Sequence, residues 1–144
     1  MAARPKFYDP QEVTITAFGA IIQGFSTDSM IKVASLAEAF VNEVGVDGEV
    51  CRSKISDNRV KVTLSLLQSS QSNSVLSAQI TLDKLGKNGA GVGSFQMVDN
   101  QGGSICRGSA CWIEKWPDAD WGKSAKSREW VIVIADGQRY ENGN

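Results

Sequence analysis

The stretch Arg59 to Leu67 constrains this chain more than any other. Val60, Val62, Leu64 and Leu66 alternate with Lys61, Thr63 and Ser65. Successive strand side chains point to opposite faces, so a period of two over four apolar positions puts one face in a core and leaves the other polar. The same order on a helix would scatter the apolar groups around the axis. A strand of this kind needs partners, and the rest of the chain supplies them. Val13 to Ala17, Ser29 to Ala34, Ser94 to Val98 and Ser104 to Lys115 all read as strands. Arg128 to Asp136 is apolar on both faces between Trp130 and Ala135, which predicts a central or sandwiched strand.

Two further signals complete the expected fold. Asp47-Gly48 lies between two strand-like runs within Phe40 to Ile55, a hairpin signal that predicts a type I′ turn. Glu43, Glu49, Arg52, Ser53 and Lys54 interrupt its valines, so the hairpin is expected to stand out from the core. Ser74 to Leu85 carries Leu76 and Ile80 four apart, flanked by Val75, Leu82 and Leu85, and predicts the one helix. A Ser or Asn between Ser72 and Ser74 is expected to cap its start, and Gly86 to close its end in a left-handed conformation. Lys87 to Gly93 reads as a flexible glycine-rich connector. The expectation is a mainly-β chain of seven or eight strands, a β-sandwich or partly rolled barrel with one flanking α-helix. A length of 144 residues favours a single domain, 1–144, with an N-terminal arm at 1–10 and a projecting hairpin at 39–56.

The composition removes most enzyme chemistry. There is no histidine, so His-based triads, Cys–His pairs and HExxH zinc sites are absent. A net charge of −1 lacks the basic excess of a general nucleic-acid binder. The three cysteines, Cys51, Cys106 and Cys111, form no disulfide framework and are expected to be buried or half-buried thiols. Cys106 and Cys111 are five apart, which on a regular strand sets them on opposite faces, so no metal site is expected. Gly89, Gly91 and Gly93 match neither phosphate-loop nor dinucleotide spacing. Asp118 and Asp120 beside Trp116 and Trp121 have the ingredients of a sugar site, but Pro-Asp on a loop is ordinary turn chemistry. No catalytic, cofactor or metal residues are assigned. No stretch is long and apolar enough to cross a bilayer and no leader is evident, which predicts a chain folded in a cytoplasm.

Several colinear segments resemble one family. They are Tyr8-Asp-Pro-Gln-Glu-Val13, Val44-Gly-Val-Asp-Gly-Glu-Val50, Thr63-Leu-Ser-Leu-Leu-Gln68 leading to Ser72-Asn-Ser-Val-Leu-Ser-Ala78, Trp116-Pro-Asp-Ala-Asp-Trp-Gly-Lys123, and Arg128-Glu-Trp130. The family is that of phage structural proteins regarded as tail tube subunits of contractile-tailed phages. The resemblance implies a structural subunit rather than an enzyme, placed in the virion tail after assembly in the host cytoplasm. Six copies would form a ring, and stacked rings would form a hollow conduit for genome ejection. It implies sheath protein outside, tape measure protein and transiently double-stranded DNA inside, baseplate and terminator proteins at the ends, and no membrane. By position, Val44, Gly45, Val46, Asp47, Gly48, Glu49, Val50 and Arg52 are expected at a subunit interface, and Lys61, Thr63 and Ser65 on a lumen face. Such a lumen is expected to be neutral or acidic so that DNA slides, and Lys61 sits awkwardly with that. The alternative is a β-sandwich binding module that recognises glycan or host surface from a tail baseplate with its tryptophans.

Overall fold

The computed structural model describes residues 5–143. A short 3-10 turn, Pro10–Glu12, opens it, and residues 1–4 of the expected arm lie outside the described part. The strands are β1 (Val13–Ala17), β2 (Ala20–Ile21), β3 (Ile31–Ser35), β4 (Phe40–Val44), β5 (Val50–Lys54), β6 (Val60–Leu67), β7 (Gly93–Asp99), β8 (Ile105–Lys115), β9 (Ser127–Ile134) and β10 (Gln138–Tyr140). Among the described residues the single α-helix, α1, is Ser72–Leu85. Eight strands form one antiparallel sheet in the order β2-β1-β7-β8-β9-β6-β3, with β10 beside β8, while β4 and β5 pair only with each other. The fold is mainly β with one flanking helix, as the pattern of alternation predicts.

The sheet is open in strand order but curled. Residues 20–26 run from its β1 edge to β6. Ile22 N–H donates to the Ile15 carbonyl (2.9 Å), Leu67 N–H to that of Gly24 (2.8 Å) and Ser26 N–H to that of Ser65 (2.8 Å). This makes a partly rolled sheet rather than a closed barrel. The core lies inside the curl. Val60, Val62, Leu64 and Leu66 of β6 are all buried there with Ile132 and Ile134 of β9. Each such side chain contributes about 1.5–3 kcal/mol on burial. β9 lies between β8 and β6, the central position that its two apolar faces require.

Helix α1 closes the core with Leu76 and Ile80. Its ends differ from expectation. The hydroxyl of Ser70, not a residue from 72 to 74, accepts from an N–H of the first turn, that of Ser72 (3.2 Å). Gly86 is extended at φ −81° and ψ 174°, not left-handed. A side chain there would strike Ala90 and the Leu82 carbonyl, so close approach is what calls for glycine at this position. The glycine-rich run is also pinned rather than free. Gln79 donates to the Gly91 carbonyl (2.9 Å), and Gly91 N–H donates to the Asp83 carboxylate (3.3 Å).

Cys106 and Cys111 are both buried in the same core. The expectation of opposite faces fails because β8 is irregular between them. Phe95 pairs Gly108 but Gly93 pairs Cys111, so β8 carries one extra residue there. A bulge of this kind shifts the alternation by one position. Gly108 borders it, and a side chain there would collide with Ile134. Cys51 also departs from expectation, since it is exposed on β5. β10 was not anticipated at all, because its three residues are exposed and carry no apolar alternation.

Candidate assembly surfaces

The β4–β5 hairpin grows out of the main sheet. β3 and β6 pair as far as Ser35 and Val60, and Leu36 N–H still donates to the Arg59 carbonyl (3.1 Å). Pairing resumes where Ile55 N–H donates to the Ala39 carbonyl (2.9 Å) and runs on to Val44 opposite Val50. One long hairpin therefore bends at residues 37–39 and 56–58. Asp57 braces the bend, accepting from the Arg59 backbone N–H and from its guanidinium at 2.8 to 3.1 Å. Those hydrogen bonds and the adjacent cation hold the Asp57 carboxyl below its ordinary range. Every residue of β4 and β5 is exposed.

The tip is not the expected type I′ turn. That turn needs positive φ at both central residues, and Asp47 does not adopt it. Gly48 does, at 88°, while Gly48 N–H donates to the Gly45 carbonyl (2.9 Å) and Gly45 N–H to that of Glu49 (2.7 Å). This is a three-residue loop closed by a glycine bulge. Val44, Val46 and Val50 are left exposed around it, beside Asp47 and Glu49. Arg52, lower on the hairpin, lies 4.4 Å over the Phe40 ring. All eight residues expected at an interface thus sit together on one exposed projection.

Lys61, Thr63 and Ser65 share the β6 face turned away from the core. Lys61 and Thr63 are half-buried, and Ser65 is buried. Backbone from 26 to 30 pairs beside Ser65: its carbonyl accepts from the Ser26 N–H, and its N–H donates to the Met30 carbonyl. Register places Lys32 beside Thr63, with Val131 on the other side and Lys115 beyond it, and Glu129 beside Ser65. This face carries more cation than a neutral or acidic channel wall would.

A third surface was not expected as a unit. Past the Leu67 end of β6, the 116–121 loop, the start of α1 and the start of β9 line an open cavity of about 410 Å³. The Trp130 indole N–H donates to the Asn73 side-chain oxygen (2.9 Å), and the Asn73 amide donates to the Leu67 carbonyl (2.9 Å). The Trp116 and Trp130 rings are 5.7 Å apart at 45°. Arg128 lies 5.1 Å over the Trp121 ring and is only 6% exposed. Asp118 points to solvent in a loose 3.9 Å pair with Lys115, and Asp120 contributes only its carbonyl, to Arg128. The two carboxylates are therefore not brought into the cavity as a pair, and one face of Trp121 is taken by Arg128. Among the described residues, no three His, Cys, Asp or Glu side chains group as a metal site, and no helix is long and apolar enough to cross a membrane.

Comparison with known proteins supplies a context for these surfaces. The family model described as bacteriophage PhiTE tail tube protein matches residues 12–140. A protein of Pseudomonas phage KPP10, structural protein ORF10, is 29% identical over 150 aligned positions, covering 100% of this chain and 87% of that one. Among solved structures, the tube terminating cap of the anti-feeding prophage superposes with a TM-score of 0.62 at 8% identity. That likeness covers 99% of this chain and 96% of the cap chain, and is one of fold alone.

Proposed function

The chain belongs to the bacteriophage PhiTE tail tube protein family, a family of phage tail structural proteins, and from that premise we propose that it is the repeating subunit of the inner tube of a contractile tail. Six copies close a ring, rings stack helically, and the bore conducts the genome at ejection. Sheath protein surrounds the tube, tape measure protein and then DNA occupy it, and baseplate and terminator proteins cap its ends. The observation that carries this reading is a curled sheet with open edges, β2 and β3, beside a wholly exposed hairpin that pairs only with itself. Unpaired edges template further strands, and identical copies offer matching ones.

Within this reading, residues Val44 to Val50 and Arg52 contact a neighbouring copy, and the β6 face opposite the core turns toward the bore, whose wall is then more cationic than the neutral or acidic one expected from sequence. Lys61 and Thr63 form that lining more than Ser65, which is buried. Negative-stain microscopy of concentrated purified protein tests the assembly. Uniform hollow rings or tubes are the expected result. A monomer at every concentration, with tryptophan fluorescence that responds to glycans, would instead favour a baseplate binding module. A Thr63→Cys variant in a Cys51→Ser background, which removes the exposed native thiol, tests the lining. In assembled tubes it should label with a small maleimide that fits the bore and resist a bulky one.

A further inference from the structure

Strand β6 carries a projection at one end and a recess at the other. From its Val60 end the chain extends into the β4–β5 hairpin, whose tip combines exposed valines with acid. Val46 is fully exposed at the apex, and among the described residues Glu49 has no ion-pair partner. No base lies between Glu43 and Val50. At the Leu67 end is the tryptophan-walled cavity with Arg128 in it.

Arg128 is the unusual residue. No carboxylate among the described residues lies within ion-pair distance of it. Among the described residues its guanidinium donates only to the Ser127 carbonyl at 3.3 Å and the Asp120 carbonyl at 3.4 Å. Both exceed the usual N–H···O length. A buried cation without a counter-charge is costly, and the Trp121 ring beneath Arg128 offsets only part of that cost, so the site is better satisfied once a carboxylate arrives.

We propose that the hairpin tip of one copy seats in this recess of the next, with Glu49 on Arg128 and Val46 against Trp116 and Trp121. The charges are opposite, and an apolar apex meets aromatic walls. The chain's own tip does not reach the cavity, because the eight residues of β6, about 26 Å of strand, separate the two ends. A contact between unlike surfaces at opposite ends repeats head to tail without saturating itself, which is what an extending stack needs. This inference rests on the tube reading and names the seat that the hairpin would occupy.

Disulfide trapping tests it. In a Cys51→Ser background, Val46→Cys and Ala119→Cys are combined, and the full chain is oxidised after assembly. The expected result is a ladder well beyond dimer on a non-reducing gel, absent when Ser109→Cys replaces Ala119→Cys. Hollow particles without a ladder, or an equal ladder from the control pair, would overturn the seat and leave the tube reading standing. A ladder without hollow particles would support the seat and reject the tube, and the absence of both would reject both. Separately, Glu49→Lys should lower the assembled fraction about tenfold or more with melting of the free chain unchanged. Assembly of that exposed variant at the level of the parent protein would contradict the role given to Glu49.

Discussion

Asn73 joins three elements through one side chain, since it lies on α1, donates to the end of β6 and accepts from Trp130 of β9. Replacing it with alanine leaves a buried indole N–H without an acceptor, a cost of about 1–3 kcal/mol. Urea denaturation of Asn73→Ala should show that loss, and an unchanged midpoint would show that the bond contributes nothing. The cysteines make a second prediction at this scale. Burial pushes the Cys111 thiol up to about 11, with Cys106 nearby adding to the effect, and burial likewise raises Cys106. Native protein should therefore expose one reactive thiol per chain, Cys51, and three in denaturant. Because the fold holds those two protons more tightly than the unfolded chain does, their contribution is complete below about pH 8.5 and declines above it. Melting temperature should fall between roughly pH 9 and 11, and a flat profile would contradict it. Neither the shared core of Cys106 and Cys111 nor the role of Asn73 was legible in the sequence. Both depend on long-range register: a bulge set by the pairing of β7 with β8, and an indole 57 positions along the chain from its acceptor.

Among elements, β6 was the most legible, since its alternation maps directly onto buried and polar faces. The position of the β4–β5 turn was legible from Asp47-Gly48, but its type was not, because only Gly48 takes positive φ. β10 was invisible because β8 alone makes it a strand. Helix α1 shows why an apolar stripe read from spacing needs a structure behind it. Leu76 is buried, whereas Leu82 and Leu85 of the same helix are exposed. Leu76→Ala should cost about 2–5 kcal/mol in urea unfolding, and Leu82→Ser within about 0.5 kcal/mol of nothing. Equal costs would mean that the helix is seated differently. Replacing Val44 to Val50 with a short turn removes only exposed residues. The shortened chain should melt like the parent yet fail to assemble, and normal sedimentation of large particles from it would remove the hairpin from the interface.

For the molecule as a whole, the class of fold followed from strand periods and one helical stripe, while the order of strands did not, because pairing is settled by contacts between distant segments. The candidate surfaces divide in the same way. The hairpin tip is contiguous in sequence and could be read there. The tryptophan cavity draws on Gln68 just past β6, α1, the 116–121 loop and β9, so no local motif announced it. Both lie at the ends of one strand in a sheet whose edges remain open, and under the proposed function the single chain is an incomplete unit that identical neighbours finish. A cryo-EM reconstruction of particles grown from the purified full chain examines that directly. The map should show each sheet continuing by backbone hydrogen bonds into the next copy around a central bore. Particles whose subunits touch only through side chains, with β2 and β3 still facing solvent, would contradict it.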